Sequence, residues 1–139
     1  MRWGVANALY DLGRESFLNG EISWSGDNIK AVLVDTGAYT VDLATHQYLS
    51  DIPGGARIAT SGNLSGKTTS GGVADADNVT FTSVTGASCE AIVLYQDTGN
   101  PATSRLIAYL DTATGLPITP NGSNILVTWP NTANKIFKL

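Results

Sequence analysis

From Val79 to the C-terminus, short strand patterns follow one another with no helical period between them. This feature constrains the fold more than any other. Residues 79–84 alternate apolar and polar, the period of a half-buried strand. Residues 90–96 and 105–110 are rich in Ile, Val, Leu and Tyr. In residues 125–129, Ile125, Val127 and Trp129 share one face, and residues 135–139 alternate as a last strand. Turn chemistry separates them at 85–88, 97–103, 111–115, 121–124 and 130–134. Pro117 and Pro120 flank Ile118 and cannot sit centrally in a sheet. With residues 29–34, nearly continuous in apolar residues, the chain holds about seven or eight strands. Strands in series without helices pair antiparallel. The expected fold is mainly β: a single antiparallel β-sandwich or jelly-roll-like domain over 1–139, with a short N-terminal helix and an extended Gly-rich arm or loop.

The stretch GVADADNVTF, from Gly72 to Phe81, divides the chain. Asp75, Asp77 and Asn78 favour a turn, which should launch a central strand with Val79 and Phe81 facing inward. The core strands are expected in 73–139. Upstream, residues 1–20 form the helical segment. Over 5–18, Val5, Ala8, Leu9, Leu12, Phe17 and Leu18 recur at spacings of three and four, Gly13 weakens the middle, and Asn19-Gly20 supplies a stop. Residues 22–24 read as a short strand, and 43–48 as a short helix. The span 36–72 is polar and Gly-rich, and includes the loop SDIPGGAR at 50–57. It reads as an extended arm or long hairpin rather than core.

A length of 139 residues suits one domain with a real core. Charged residues are 14% of the chain, against about 25% in an ordinary domain, which fits burial of surface in an assembly. The net charge of −4, with both signs mixed, leaves no footprint for nucleic acid or an anionic membrane. No segment approaches the ~20 apolar residues of a membrane span. Asp11, Arg14 and Glu15 interrupt any signal-like run near the start, so synthesis and solubility in a cytoplasm are expected. The single cysteine, Cys89, excludes an intrachain disulfide and sits in a strand-like CEAIVLY, as a packed thiol.

Each candidate for chemistry has a simpler reading. His46, the only histidine, lies in the polar ATHQY with no second nitrogen ligand or nucleophile nearby in sequence, and reads as a loop histidine. Gly66-Lys67-Thr68 resembles the end of a phosphate loop, but that loop needs glycine where Ser61 stands, and Gly62 comes one position late. Asp75, Asp77 and Asn78 could offer oxygens to calcium, yet no Glu follows at the required distance, and a capped turn is favoured. The 12 acids select no pair for glycoside hydrolysis. Trp3, Trp24 and Trp129 could form a sugar-stacking platform, although Trp129 is in register with core residues. The Asn-X-Ser/Thr matches at Asn63, Asn78 and Asn121 mean nothing without a secretory signal.

Three stretches carry a resemblance: LYDLGRESFLNGEISW, LSDIPGGARIATSGNLSGKTTSGGVADADNVTF and TGLPITPNGSNILVTWPNTANKIFKL. Together, over nearly the whole chain, they resemble a family of small virion proteins of tailed bacteriophages. The resemblance rests on phrases such as SDIPGGAR, GVADADNVTF and NKIFKL, and not on a catalytic signature. It implies a non-enzymatic capsid decoration, or cement, protein made in the host cytoplasm and placed on the outer capsid surface. Its implied partners are the major capsid protein, whose neighbouring subunits it bridges, and itself, as a homotrimer. It implies no catalytic, cofactor or metal residues. A tail or baseplate component is the near alternative, and a glycan-binding β-sandwich on the virion surface the more distant one.

Overall fold

The structure, a computed structural model, describes residues 8–111, 116–129 and 135–139. In chain order its elements are β1 (Ala8–Leu9), α1 (Asp11–Leu18), β2 (Ile29–Val34), β3 (Arg57–Thr60), β4 (Thr68–Ser70), β5 (Val73–Asp75), β6 (Val79–Phe81), β7 (Ala91–Gln96), β8 (Leu106–Leu110), β9 (Ile125–Val127) and β10 (Phe137–Lys138). The fold is mainly β and antiparallel, as its turn-separated strand patterns require.

One sheet organises the molecule, in the order β1-β8-β7-β2-β3, every neighbour antiparallel. Its middle strands are buried along their whole length apart from Lys30, which is why their sequences are nearly continuous in apolar residues. Alternation still sorts the side chains. Ile29, Ala31, Leu33, Ile92 and Leu94 point into one core, where Phe81, Ile125, Val127, Trp24, Trp129 and Phe137 meet them. This core lies against two smaller sheets, β6-β9 and β10-β5-β4. Val32, Val34, Ala91, Val93 and Tyr95 point into a second core on the opposite face. The register slips between Leu94 and Tyr95, where their partners on β8 jump from Ala108 to Leu106. That bulge leaves Ile107 and Ala108 both on the first core.

The second face is covered by the chain between β2 and β3. Tyr39, Leu49, Ile52 and Ala56 are buried on it, with Val41 and Leu43 partly so. The first half of the span 36–72 is therefore a cover over the sheet and not an arm standing off it. Its few apolar residues fit no period because irregular backbone carries them, in 3-10 turns at Leu49–Asp51 and Gly54–Ala56. The helix expected over 43–48 is a turn followed by the bridge Tyr48–Arg105. The second half is more exposed. It supplies β3, β4 and the turn from β4 to β5, whose Gly71 and Gly72 have φ of 57° and 81°, values that favour glycine.

Other expectations change at element ends. The helix starts at Asp11, because Ala8 and Leu9 pair with Tyr109 and Ala108 of β8 (Val5 lies outside the described residues). It ends as expected at Asn19-Gly20, where Gly20 has φ 74°. There Gly20 N–H donates to Phe17 O at 3.1 Å and Glu21 N–H to Ser16 O at 2.8 Å. The buried face of α1 is Gly13 and Ser16, not the leucines, since small residues let the helix lie directly on β8. Residues 22–24 are irregular and not a strand, with Ile22 and Trp24 buried. Asp75, expected in a turn, lies in strand β5, which is paired on both sides, while Asp77 and Asn78 lie in no strand. Val79 and Phe81 do face inward, but β6 pairs with β9 alone and is not central. The turns expected at 112–115 and 130–134 lie outside the described residues.

Candidate functional site

The residues with chemistry in them are dispersed, and most are held by structural partners. Trp24 and Trp129 are buried in the first core. Their indole N–H groups donate to Asp75 O at 3.2 Å and Asp77 O at 2.9 Å. The 75–77 backbone thus satisfies both buried indoles, which is its structural use. A sugar platform from these two tryptophans is ruled out by burial, and Trp3 lies outside the described residues.

Asp77 also accepts from Ser65 Oγ at 3.3 Å and so closes the turn beside Gly66. A Cβ on Gly66 would stand 2.4 Å from Asp77 Oδ1, and Gly66 has φ 61°. That left-handed backbone favours glycine there without any phosphate. The neighbouring Lys67 reaches back to the Asp27 carbonyl in a short contact. Among the described residues no cluster of His, Cys, Asp or Glu is arranged to hold a metal ion, and no helix is long and apolar enough to cross a membrane.

Cys89 is buried, with Sγ 3.5 Å from Ala87 O. Burial first, then the charges of Glu90 and Asp35, push its thiol up to about 11. A thiol held protonated is a poor nucleophile, as expected of a packed cysteine. At one end of the main sheet a polar cluster closes the strand ends. Gln96 Nε2 donates to Glu21 O at 2.8 Å and Asp27 Oδ2 at 2.7 Å. Lys30 pairs with Asp97 at 3.1 Å, and Arg105 with Glu21 at 3.4 Å.

His46 is not a free surface residue. It is half-buried in the cover over the second core, with its ring stacked on Tyr39 at 5.3 Å. Tyr39 Oη lies 2.8 Å from His46 Nδ1 and 2.9 Å from the hydroxyl of the fully buried Tyr10. Burial raises both phenols well above their ordinary range, Tyr39 to about 12. The partners of the His46 ring are thus the Tyr39 phenol and the Asp42 backbone N–H, and among the described residues no serine or carboxylate of a triad is hydrogen-bonded to it. Sequence spacing could not foresee this, because Tyr10 is 29 residues from Tyr39.

The surface offers a different kind of site. Leu18 is 87% exposed and Leu139 57% exposed. With Phe17 and Arg14 they line an almost wholly apolar groove of about 230 Å³ where the end of α1 meets the chain end after β10. Phe17 joins it to the core through Phe137, ring centroids 6.2 Å apart. Leu126 stands alone on the outside of β9, 59% exposed. The helical period had placed Leu18 inside, and only the close seat of Gly13 on β8 reveals why it is out. Compared with protein-family models and with curated proteins, the chain matches none.

Proposed function

We propose that this chain is a non-enzymatic structural protein of a tailed-phage head: a capsid decoration protein that sits on the outer surface and bridges neighbouring major capsid protein subunits, as a homotrimer. The observation that carries the reading is the resemblance of SDIPGGAR, GVADADNVTF and NKIFKL, over nearly the whole chain, to small phage virion proteins. Physical features support it. Cores on both faces of one sheet give a stiff body that can bear load. Low charge and the exposed Leu18 and Leu139 suit a surface that becomes covered on assembly. The glycan-binding alternative loses the two tryptophans that most favoured it.

The test is to delete the gene and challenge purified heads with heat and low salt. Heads that rupture earlier than wild type, and recover when the purified protein is added back, support the proposal. Heads of unchanged tolerance count against it.

A further inference from the structure

The inward seat of Gly13 and Ser16 decides what the outer side of α1 carries. At 3.6 residues per turn, Arg14, Phe17 and Leu18 fall on one flank, spaced by three and four. Leu139, just after β10, comes alongside, and these four residues line the apolar groove. Phe17 is the least exposed of its apolar residues and is tied to the core. Its ring meets Phe137 at 6.2 Å, and Phe137 meets Trp24 edge-on at 5.2 Å. One wall of the groove is therefore set by the core, so little ordering is needed to fill it. Leu18 and Leu139, by contrast, stay largely in water in the free chain. Arg14 adds charge. Among the described residues it forms no ion pair, although Asp11 and Glu15 share the exposed side of α1.

We propose that this groove seats a segment of the shell partner that carries one large apolar side chain with an aspartate or glutamate beside it. The apolar group lies between Leu18 and Leu139, and the carboxylate meets Arg14. The inference rests on the decoration role proposed above and names a contact through which that role is exercised. A groove of about 230 Å³ is smaller than a drug-sized site and fits one anchoring side chain. Covering Leu18 and Leu139 removes apolar surface from water, the usual driving force of association. An arginine can lay its aliphatic stem along apolar surface and still offer its guanidinium to a carboxylate through two parallel hydrogen bonds. A lysine or arginine beside the anchor would instead be repelled, so Arg14 selects among apolar segments.

A second copy of this chain is the poorer occupant. Outside the groove, the exposed large apolar side chain among the described residues is Leu126. Thr80 stands opposite it on β6, and Asn124 and Thr128 flank it on the exposed face of β9. None of them is acidic, so Leu126 would fill the groove and leave Arg14 unanswered. Two grooves set face to face bring together two Arg14 side chains and no acidic side chain from either lining. The charge therefore points to a different protein, one that supplies the carboxylate.

The test adds purified full-length protein back to heads purified without it. Bound protein is read by sedimentation and gel densitometry, and the mass of the free protein by light scattering. Wild type should bind. Leu18→Ser should raise the concentration for half-saturation about tenfold or more, as loss of a buried anchor does. Arg14→Glu should bind more weakly at low salt, and its gap from wild type should shrink in about 1 M salt, where charge is screened. Leu126→Ser should bind as wild type does. All three changes are at exposed side chains, so urea midpoints and free mass should match wild type. Wild-type affinity in Leu18→Ser, equal losses in Leu18→Ser and Leu126→Ser, or an Arg14→Glu deficit that salt leaves unchanged overturns the groove contact and leaves the decoration role standing. A changed free mass for Leu18→Ser makes a second copy the occupant and also overturns the proposal. Failure of wild type to bind heads removes the decoration role, and this inference with it.

Discussion

Replacing Gly13 by alanine sets two effects of opposite sign against each other. In the middle of a helix the change should gain about 1 kcal/mol, since alanine loses less backbone freedom than glycine. At this position, however, a Cβ would stand 2.6 Å from Leu106 O, 3.2 Å from Ile107 O and 3.3 Å from Ile107 Cα. Ordinary contact begins near 3.4 Å, so the first overlap is about 0.8 Å. All three atoms are backbone of β8, held between β1 and β7. No rotamer change relieves the clash; the helix must lift or the sheet must bend. Overpacking of this kind costs about 1–3 kcal/mol, and a rigid backbone neighbour belongs in the upper half of that range. The net result is a loss of about 1–2 kcal/mol, or roughly 3–10 °C in Tm for a chain of this size. Urea unfolding followed by the fluorescence of the buried Trp24 and Trp129 reads it directly. Gly55→Ala is the control, with nothing within 4 Å of its Cβ, and should stay within about 0.5 kcal/mol of wild type. A Gly13→Ala variant more stable than wild type would refute the close seat of α1 on β8.

Three further outcomes follow from the packing. Tyr39→Phe leaves the Tyr10 hydroxyl buried without its partner and should cost about 1–3 kcal/mol in urea unfolding; no loss would mean that the hydroxyl has another acceptor. Leu94→Ala in the first core should cost about 2–5 kcal/mol, whereas Leu18→Ala should stay within about 0.5 kcal/mol, and equal effects would contradict the burial pattern. The folded chain holds the Cys89 proton more tightly than the unfolded chain does, whose thiol titrates near ~8.5. Its contribution to stability is therefore intact below that range and is lost as pH rises toward about 11. Over that window the urea midpoint should fall more steeply in wild type than in Cys89→Ala; parallel profiles would show that the thiol is not buried as described.

The parts of this fold that local pattern could reveal are those whose burial follows a simple period. Residues 29–34 and the strands from Val79 onward were legible because fully or half-buried strands have a defined sequence appearance. The first half of the 36–72 span was not legible. Tyr39, Leu49 and Ile52 are core residues on irregular backbone, with no period to announce them. The leucine spacing in α1 also misled, because a helix normally buries its large residues, and here a glycine and a serine take the inner face. Ala74 and Asp75 are poor strand formers by composition. Their pairing to β4 and β10 is a tertiary gain that overrides weak local preference. The Tyr10–Tyr39–His46 chain joins residues far apart in sequence, so no spacing rule could have assembled it. The groove of Arg14, Phe17, Leu18 and Leu139 likewise exists only once the chain end is brought to α1.

The most direct test of the proposed virion role is the amount and place of this chain in purified particles, by gel densitometry of separated heads and tails. A decoration role requires an abundant band in the head fraction, in stoichiometric proportion to the major capsid protein. A trace amount, or a band found with tails alone, would contradict it and make a tail or baseplate role the leading one.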